Sequence, residues 1–292
     1  MKLILGDKTN ELLRMIHAYL LKEDKEQVIW LEGQDIVNEL VVNDEISADK
    51  TTIRWCYRGV DISPECTTGV LNMLSYLDLS LFNAFIEEDR KYAQAEFTSY
   101  LLFSLRQFGN VLNPTWGETL SGYCQSLPYQ WTFVRKHTED IQVPHAFYGP
   151  LKHVPDDLLL GYNTIVSNNS FNGLYWKTGL PETLARNDYY LWYQRPPGNP
   201  FVVTVLDDHM WVQPLDNSIY GSRVTDEVGH LCHVLMKHFH LRLAEILFFF
   251  DEGTNLYTFG SIRPNVDVKH IPSSNIPEFL ELISASLENS PL

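Results

Sequence analysis

An apolar strand, an amphipathic helix and a second apolar strand open this chain, and that order narrows the fold more than any other feature. Lys2–Leu5 reads as a short buried strand. Leu12, Leu13, Ile16, Tyr19 and Leu20 then recur at helical spacing, with Thr9 or Asn10 as the cap. Val28–Leu31 is apolar throughout. Strand, helix, strand is a βαβ unit and predicts a parallel sheet. The pattern then changes. Glu39–Val42 and Thr51–Tyr57 read as hairpin strands around Asn43–Lys50, with Val60–Ile62 continuing the sheet. Val70–Leu77 and Glu87–Gln107 read as helices, Val111–Gly122 as an ordered loop, and Tyr129–Thr138 as a helix. Val143–Gly149 reads as a short strand before the Pro150 turn.

Beyond Pro150 the sequence turns strand-rich. Short strands are expected at Tyr162–Ser167, Gly173–Lys177, Leu191–Gln194, Phe201–Leu206 and His209–Leu215, and Thr225–His238 reads as a helix. Ala244–Asp251 and Leu256–Ile262 form a hairpin across Glu252-Gly253-Thr254-Asn255, and Pro277–Leu287 is a closing amphipathic helix. With 292 residues, 45% of them hydrophobic, the chain can bury a full core, and general disorder is excluded. Asp and Glu outnumber Lys and Arg 37 to 22, for a formal charge of −15. That field, with no basic run to offset it, argues against nucleic acid and anionic membrane as partners. Cys56, Cys66, Cys124 and Cys232 form no C-x-x-C pair. The start is too short an apolar segment for a signal peptide, and the longest apolar run, Ile246–Phe250, is far below the ~18 residues of a spanning helix. The expectation is a soluble cytoplasmic protein.

The order of elements and several motifs resemble the ATP-grasp superfamily, in particular the branch of protein glutamate ligases and peptide-maturing ligases. Thr51-Thr52-Ile53-Arg54-Trp55 and Gly69-Val70-Leu71-Asn72-Met73 resemble its pre-ATP-grasp domain. Glu88–Glu96 resembles the Glu-bearing helix that follows, and Val111-Leu112-Asn113-Pro114, Gln130-Trp131 and Val143-Pro144 resemble the segments leading into the nucleotide fold. Leu191-Trp192-Tyr193-Gln194-Arg195, followed by Phe201–Leu206 and Asp207-Asp208-His209, resembles its hinge strand, and Phe259–Asn265 its F-L-E-V-N-P-N strand. The resemblance implies an α/β, ATP-grasp-like fold. A pre-grasp α/β domain would span residues 1–115 and a two-lobed grasp-type α+β region residues 116–292, its lobes near 116–215 and 216–292.

It also implies a chemistry. ATP phosphorylates a carboxylate and an amine attacks the acyl phosphate, with lysines and Mg²⁺ offsetting phosphate charge. By resemblance Lys136, Lys177 and Gln194 would hold the nucleotide, Asn265 the metal, and Arg263 an acyl phosphate or carboxylate. The chain departs from the pattern at the metal. Leu247–Phe250 stands where an acid is usual, Gly260 or Ser261 where the Glu is, and Arg263 where the first Asn is. Glu245, Asp251 and Asp267 could be substitutes, none of them at the phase that the resemblance leads one to expect. A strand alternates its side chains, so Ser261, Arg263 and Asn265 would share one strand face, and Pro264 would end the ladder. The alternative for Arg263 is a surface ion pair with Asp267.

Two functions stay open: a degenerate ATP-grasp-like protein, a pseudoenzyme that binds a peptide or partner in peptide or protein modification, and an active ATP-dependent carboxylate–amine ligase on a peptide or protein. ATP and magnesium are the implied cofactors, and a homo-oligomer is compatible with either. Other constellations are weaker. His230 and His233 share a helix face and could share zinc, but no acid or cysteine is spaced to complete the site, so His230, His233, His238 and His240 read as helix-surface residues. Ser121 lies outside a G-x-S-x-G motif, and no P-loop or G-x-G-x-x-G occurs. Tyr189–Tyr193 reads as sheet core, and Asp156-Asp157 and Asp207-Asp208 as turn acids.

Overall fold

A buried lysine begins the first sheet. The structure, a computed structural model, describes residues 1–23, 27–116, 119–122, 125–159, 164–167, 189–215 and 225–288. It divides into two compact units, of which the first is Met1–Tyr123, Phe239–Leu243 and Ser273–Leu292. Its centre is a parallel sheet ordered β2-β1-β8-β9, from β1 (Lys2–Leu5), β2 (Val28–Leu31), β8 (Gly69–Asn72) and β9 (Val111–Leu112). The crossover from β1 to β2 is α1 (Glu11–Glu23), as the opening pattern requires. Every residue of β1 and β8 is buried, the mark of a sheet covered on both faces. The closing helix α7 (Ile276–Glu288) packs on β8 and α1. Lys2 reaches α7 through Ser284 Oγ at 3.2 Å and Glu288 Oε1 at 3.0 Å. A side chain at Gly69 would meet the Leu287 carbonyl oxygen at 2.1 Å, so the close approach of α7 demands glycine there.

Two expectations are corrected here. The segment from Val70 was read as a helix and begins as strand β8, because an apolar run buried on both faces lacks the alternation that marks a strand. Val111-Leu112 was read as loop and is strand β9, paired with Val70-Leu71. Between β2 and β8 the chain forms α2 (Gly33–Asn38), then β3 (Val41–Val42), β4 (Glu45–Ile46), β5 (Thr51–Thr52), β6 (Trp55–Tyr57) and β7 (Val60–Ile62). β3, β6 and β7 make a small antiparallel sheet, and β4 and β5 a ribbon. The helix α3 (Glu87–Leu105) contributes Leu101 and Leu105 to the core with Leu3, Ile29, Trp55 and Val70. Asn113, at φ 59° and fully buried, ties down the returning segment Phe239–Leu243. Its Oδ1 accepts from the Arg242 and Leu243 N–H groups at 3.0 Å each, and its Nδ2 donates to the Leu243 carbonyl at 2.7 Å.

The second unit is Cys124–His238 with Ala244–Pro272. It opens with α4 (Leu127–His137) and holds two sheets. One is antiparallel, ordered β11-β13-β12, from β11 (Ala146–Pro150), β12 (Thr164–Ser167) and β13 (Tyr189–Gln194), with the short α5 (Asp156–Leu159) between its first two strands. The strand expected at Gly173–Lys177 lies outside the described residues. The other sheet is ordered β10-β17-β16-β14-β15, from β10 (Ile141–Gln142), β14 (Asn199–Leu206), β15 (His209–Pro214), β16 (Leu243–Asp251) and β17 (Leu256–Arg263). The hairpins β14–β15 and β16–β17 pair as the turn residues predict. The helix α6 (Asp226–His238) buries Val228, Leu231, Cys232 and Leu235 on one face.

The β16–β17 hairpin carries a bulge. Register runs from Asp251↔Leu256 to Phe248↔Phe259, then resumes at Leu247↔Ser261, leaving Gly260 unopposed. A Cβ on Gly260 would lie 2.9 Å from Leu247 Cγ and Cδ2. Paired residues share a face, so the bulge puts Phe259 with Phe248 and Ser261 with Leu247, on opposite faces. The shared-face expectation for Ser261 and Arg263 holds; the phase relating them to Phe259 and to β16 is shifted by one residue. Beyond the two pairs that β10 makes with β17, α4 takes the place of a neighbouring strand. Gln130 Oε1 accepts from Ile262 N–H at 2.9 Å, its Nε2 donates to Ile262 O at 3.3 Å, and Trp131 Nε1 donates to Gly260 O at 2.7 Å. Side chains thus satisfy backbone groups that an edge would leave open.

Candidate functional site at the hairpin end

Glu245 stands among apolar residues of β16, whose other acid, Asp251, closes the strand at the turn, and it is fully buried. Four donors surround its carboxylate. Arg263 gives Nε at 3.1 Å and Nη2 at 2.8 Å, both to Oε2. The Asp267 N–H lies 2.6 Å and His270 Nδ1 2.7 Å from Oε1. An ionised carboxylate can only accept, so Nδ1 is the protonated nitrogen of His270. His270 is itself 2% exposed, and its carbonyl accepts from Thr204 Oγ1 on β14 at 3.1 Å. Charge-assisted bonds of this kind are roughly twice as strong as neutral ones, and they fix the turn that follows β17 against β16 and β14.

Arg263 therefore does not meet Asp267. Its partner is Glu245, across the hairpin, with the carboxylate fully buried and the guanidinium partly so. Asp267 instead turns to Lys269, with the backbone N–H at 3.1 Å and Nζ at 3.3 Å. Burial works against ionising Asp267, and these two donors outweigh it, holding the carboxyl below the ordinary aspartate range. Counted from the turn without a bulge, Glu245 would face Ile262. With the bulge it faces Arg263.

The residues at this end do not suit a magnesium ion. Mg²⁺ takes six oxygen ligands in near-octahedral geometry, mostly carboxylate and water. Here the only fully buried carboxylate is filled by its four donors. Ser261 offers a neutral hydroxyl whose Oγ is buried and has no hydrogen-bond partner. Arg263 brings a positive charge. A dication about 4 Å from a guanidinium would be repelled by roughly 8 kcal/mol at an effective dielectric of 20. Among the described residues no group of three or more His, Cys, Asp or Glu side chains could hold a metal. Asn265 is half-buried two residues beyond Arg263.

The other sequence candidates lie elsewhere. Lys136 is exposed on α4 and lines a cleft of about 690 Å³ with Glu139, Asp226, Glu227 and His230. Gln194 ends β13 with its side chain exposed, and its N–H donates to the His145 carbonyl at 3.0 Å. Lys177 lies outside the described residues. A second cleft, about 650 Å³, is lined by Trp131, Arg135, Glu139, Gln142 and His145. His230 and His233 are exposed on α6 as the surface reading expects, but His238 is half-buried at its end and His240 lies beyond it. His233 lies 3.8 Å from Asp208, His238 stacks on Phe133 at 3.8 Å, and His240 stacks on Trp116 at 3.7 Å. Sequence reasoning missed His270 and Thr204. The isolation of Glu245 among apolar residues was the available signal, because a buried acid requires partners.

The chain has the ATP-grasp fold. Its similarity is to ligases that mature peptides. The ligase PsnB, complexed with Mg, ADP and a phosphomimetic variant of its minimal precursor, superposes with a TM-score of 0.74 at 12% identity, covering 98% of both chains. The macrocyclase MdnC from Microcystis aeruginosa MRC, bound with precursor peptide MdnA, gives 0.73 at 10% identity, covering 98% of this chain and 100% of MdnC. A RiPP-associated ATP-grasp ligase from Chryseobacterium gregarium, in complex with ADP and a leader and core peptide, gives 0.68 at 12% identity, covering 98% of this chain and 94% of that one. No protein-family model and no curated protein sequence matches the chain. Among the described residues no helix is long and apolar enough to cross a membrane.

Proposed function

We propose that this chain is an ATP-grasp-like protein that binds a peptide or partner protein in peptide or protein modification and has lost magnesium-dependent ATP chemistry. One observation carries the loss: the Glu245 carboxylate is occupied by Arg263, His270 and the Asp267 N–H. An ion that competed for it would have to displace a guanidinium and two further donors. The peptide partner is supported by the fold, which is shared over nearly the whole chain with three ligases held with precursor peptides.

The second reading is an active carboxylate–amine ligase. It is favoured by the near-complete match to a structure holding Mg and ADP. In it Lys136, Lys177 and Gln194 hold the nucleotide, Asn265 the metal, and Arg263 an acyl phosphate. Isothermal calorimetry with ATP, with and without MgCl₂, separates the two. Metal-independent or absent nucleotide binding is the expected result. Tight binding that requires Mg²⁺ would overturn the degenerate reading, and complete absence of nucleotide binding would remove the ligase.

A further inference from the structure

We infer that Arg263 stands in for a divalent cation: its guanidinium is the permanent counter-ion of Glu245, so the hairpin end keeps its shape without metal. The inference rests on the reading above that this end of the hairpin holds no magnesium. It explains three features together. The first is charge. Glu245 is 0% exposed and its partner guanidinium 28% exposed, so the carboxylate draws its neutralisation from the protein. The second is register. The bulge at Gly260 slides β17 by one residue and brings Arg263, rather than Ile262, opposite Glu245. Glycine makes that slide sterically open, since a Cβ would strike Leu247. The third is the turn after β17. Asp267 and His270 both donate to Oε1, the oxygen that Arg263 leaves to them. A metal ion ligated by Glu245 would compete with those donors for the same lone pairs, whereas a guanidinium on Oε2 leaves them undisturbed.

The arrangement predicts a charge vacancy that a metal could fill only after the arginine is removed. In Arg263→Asn the carboxylate stays buried with its counter-ion gone. The melting temperature should fall by about 5 °C or more, on the scale of breaking a buried pair in a chain of this size. Millimolar Mg²⁺ or Mn²⁺ should recover part of that loss, while the unaltered chain should melt at the same temperature with or without either ion. Amide exchange at Asp267, whose N–H contacts Oε1, should quicken in Arg263→Asn and slow again with metal. Two further variants keep the test decisive if Arg263→Asn does not fold. Arg263→Lys keeps the charge and should fold and ignore metal. Glu245→Gln with Arg263→Met removes both charges and should recover most of the stability lost by either change alone, again without a metal response. The inference is overturned if Mg²⁺ alone stabilises the unaltered chain, if Arg263→Asn melts where the unaltered chain does, or if the double variant is as unstable as the sum of its single changes. Nucleotide calorimetry on the unaltered chain reports separately on the loss of ATP chemistry, so the failure of either idea is visible without the other.

Discussion

Asp35 in the first unit and Glu245 in the second are both carboxylates taken out of water beside a cation, and they differ in the kind of cation and in the donors around it. Asp35 is 4% exposed and accepts from Tyr57 Oη at 2.9 Å, from the Glu32 N–H at 3.0 Å and from Lys8 Nζ at 2.5 Å. The Lys8 side chain is 36% exposed. Burial opposes both charges, yet the contact wins: Lys8 holds Asp35 below the ordinary aspartate range, and Asp35 holds Lys8 above the ordinary lysine range. Burial, with the bond to Asp35, also pushes the Tyr57 hydroxyl up. Glu245 is bound by a guanidinium 28% exposed, a buried imidazole and a backbone N–H. An ammonium is a point charge on a flexible stem, whereas a guanidinium presents a rigid fork of donors, here placing two of them on one oxygen. The two clusters therefore look alike as contact pairs and should respond differently to loss of a partner.

The largest difference should come from Glu245→Ala. It strands Arg263, His270 and the Asp267 N–H together, and breaking a buried pair by removing one member costs about 3–5 kcal/mol. Urea unfolding followed by far-UV circular dichroism measures it, and a loss below about 1 kcal/mol would show that water already reaches the cluster. Asp35→Asn comes next. The amide keeps the Tyr57 bond but loses the charge, for an expected cost of about 1–3 kcal/mol at neutral pH. The sign against pH follows from the two shifts. Asp35 is depressed when folded, so its contribution is complete above its unfolded value near ~3.9 and fades as pH falls through the folded value. Lys8 is raised when folded, so its contribution is complete below ~10.4 and fades as pH rises through its folded value. The stability gap between the unaltered chain and Asp35→Asn should thus be widest between those limits and close at both ends. A gap that stayed constant down to strong acid would assign the contact to shape rather than charge.

How much of each cluster could be read from the sequence follows the same division. The parallel sheet around Asp35 was announced by local pattern: the apolar runs Lys2–Leu5 and Val28–Leu31 and the spacing of α1 need no knowledge of distant residues. The reading failed where burial erased the pattern, at Val70-Leu71, whose two faces are equally apolar. The hairpin β16–β17 was announced by its turn, but the contents of its far end were not. One unopposed glycine shifts the register, and everything from Ser261 to Asn265 moves relative to β16. Gly260→Ala tests the point. Its Cβ would press on Leu247, which is fully buried, so a cost of about 1–3 kcal/mol is expected. Because the strain falls where the register slides, amide exchange should rise at Ser261, Ile262 and Arg263 more than near the turn at Leu256. Uniform acceleration along β17 would mean that the bulge does not set the register of the Glu245 end.

The smallest effect should fall just outside the Glu245 cluster, at Lys269. Its side chain is 72% exposed and meets Asp267 at 3.3 Å, a surface contact of the kind that contributes at most about 1 kcal/mol. Yet Asp267 has a second donor, the Lys269 backbone N–H at 3.1 Å, which Lys269→Ala leaves in place. The substitution should therefore separate two effects that the native turn combines. Thermal stability at neutral pH should scarcely move, because the turn is held by the Asp267 N–H on Glu245 and not by its carboxylate. The titration of Asp267 should move, because one of the groups that outweigh burial is gone and burial then counts for more. Its carboxyl value should rise toward the ordinary range without reaching it. The sign in stability is fixed by the depressed folded value: Asp267 contributes above its unfolded pKa, and that contribution is lost as pH falls through the folded one. Raising the folded value brings the loss to a higher pH, so Lys269→Ala should begin to destabilise earlier on acidification. Carbon-detected NMR titration of the Asp267 carboxyl reads the first effect and acid unfolding the second. A large loss at neutral pH with an unmoved titration would place the ammonium, rather than Glu245, at the centre of the turn.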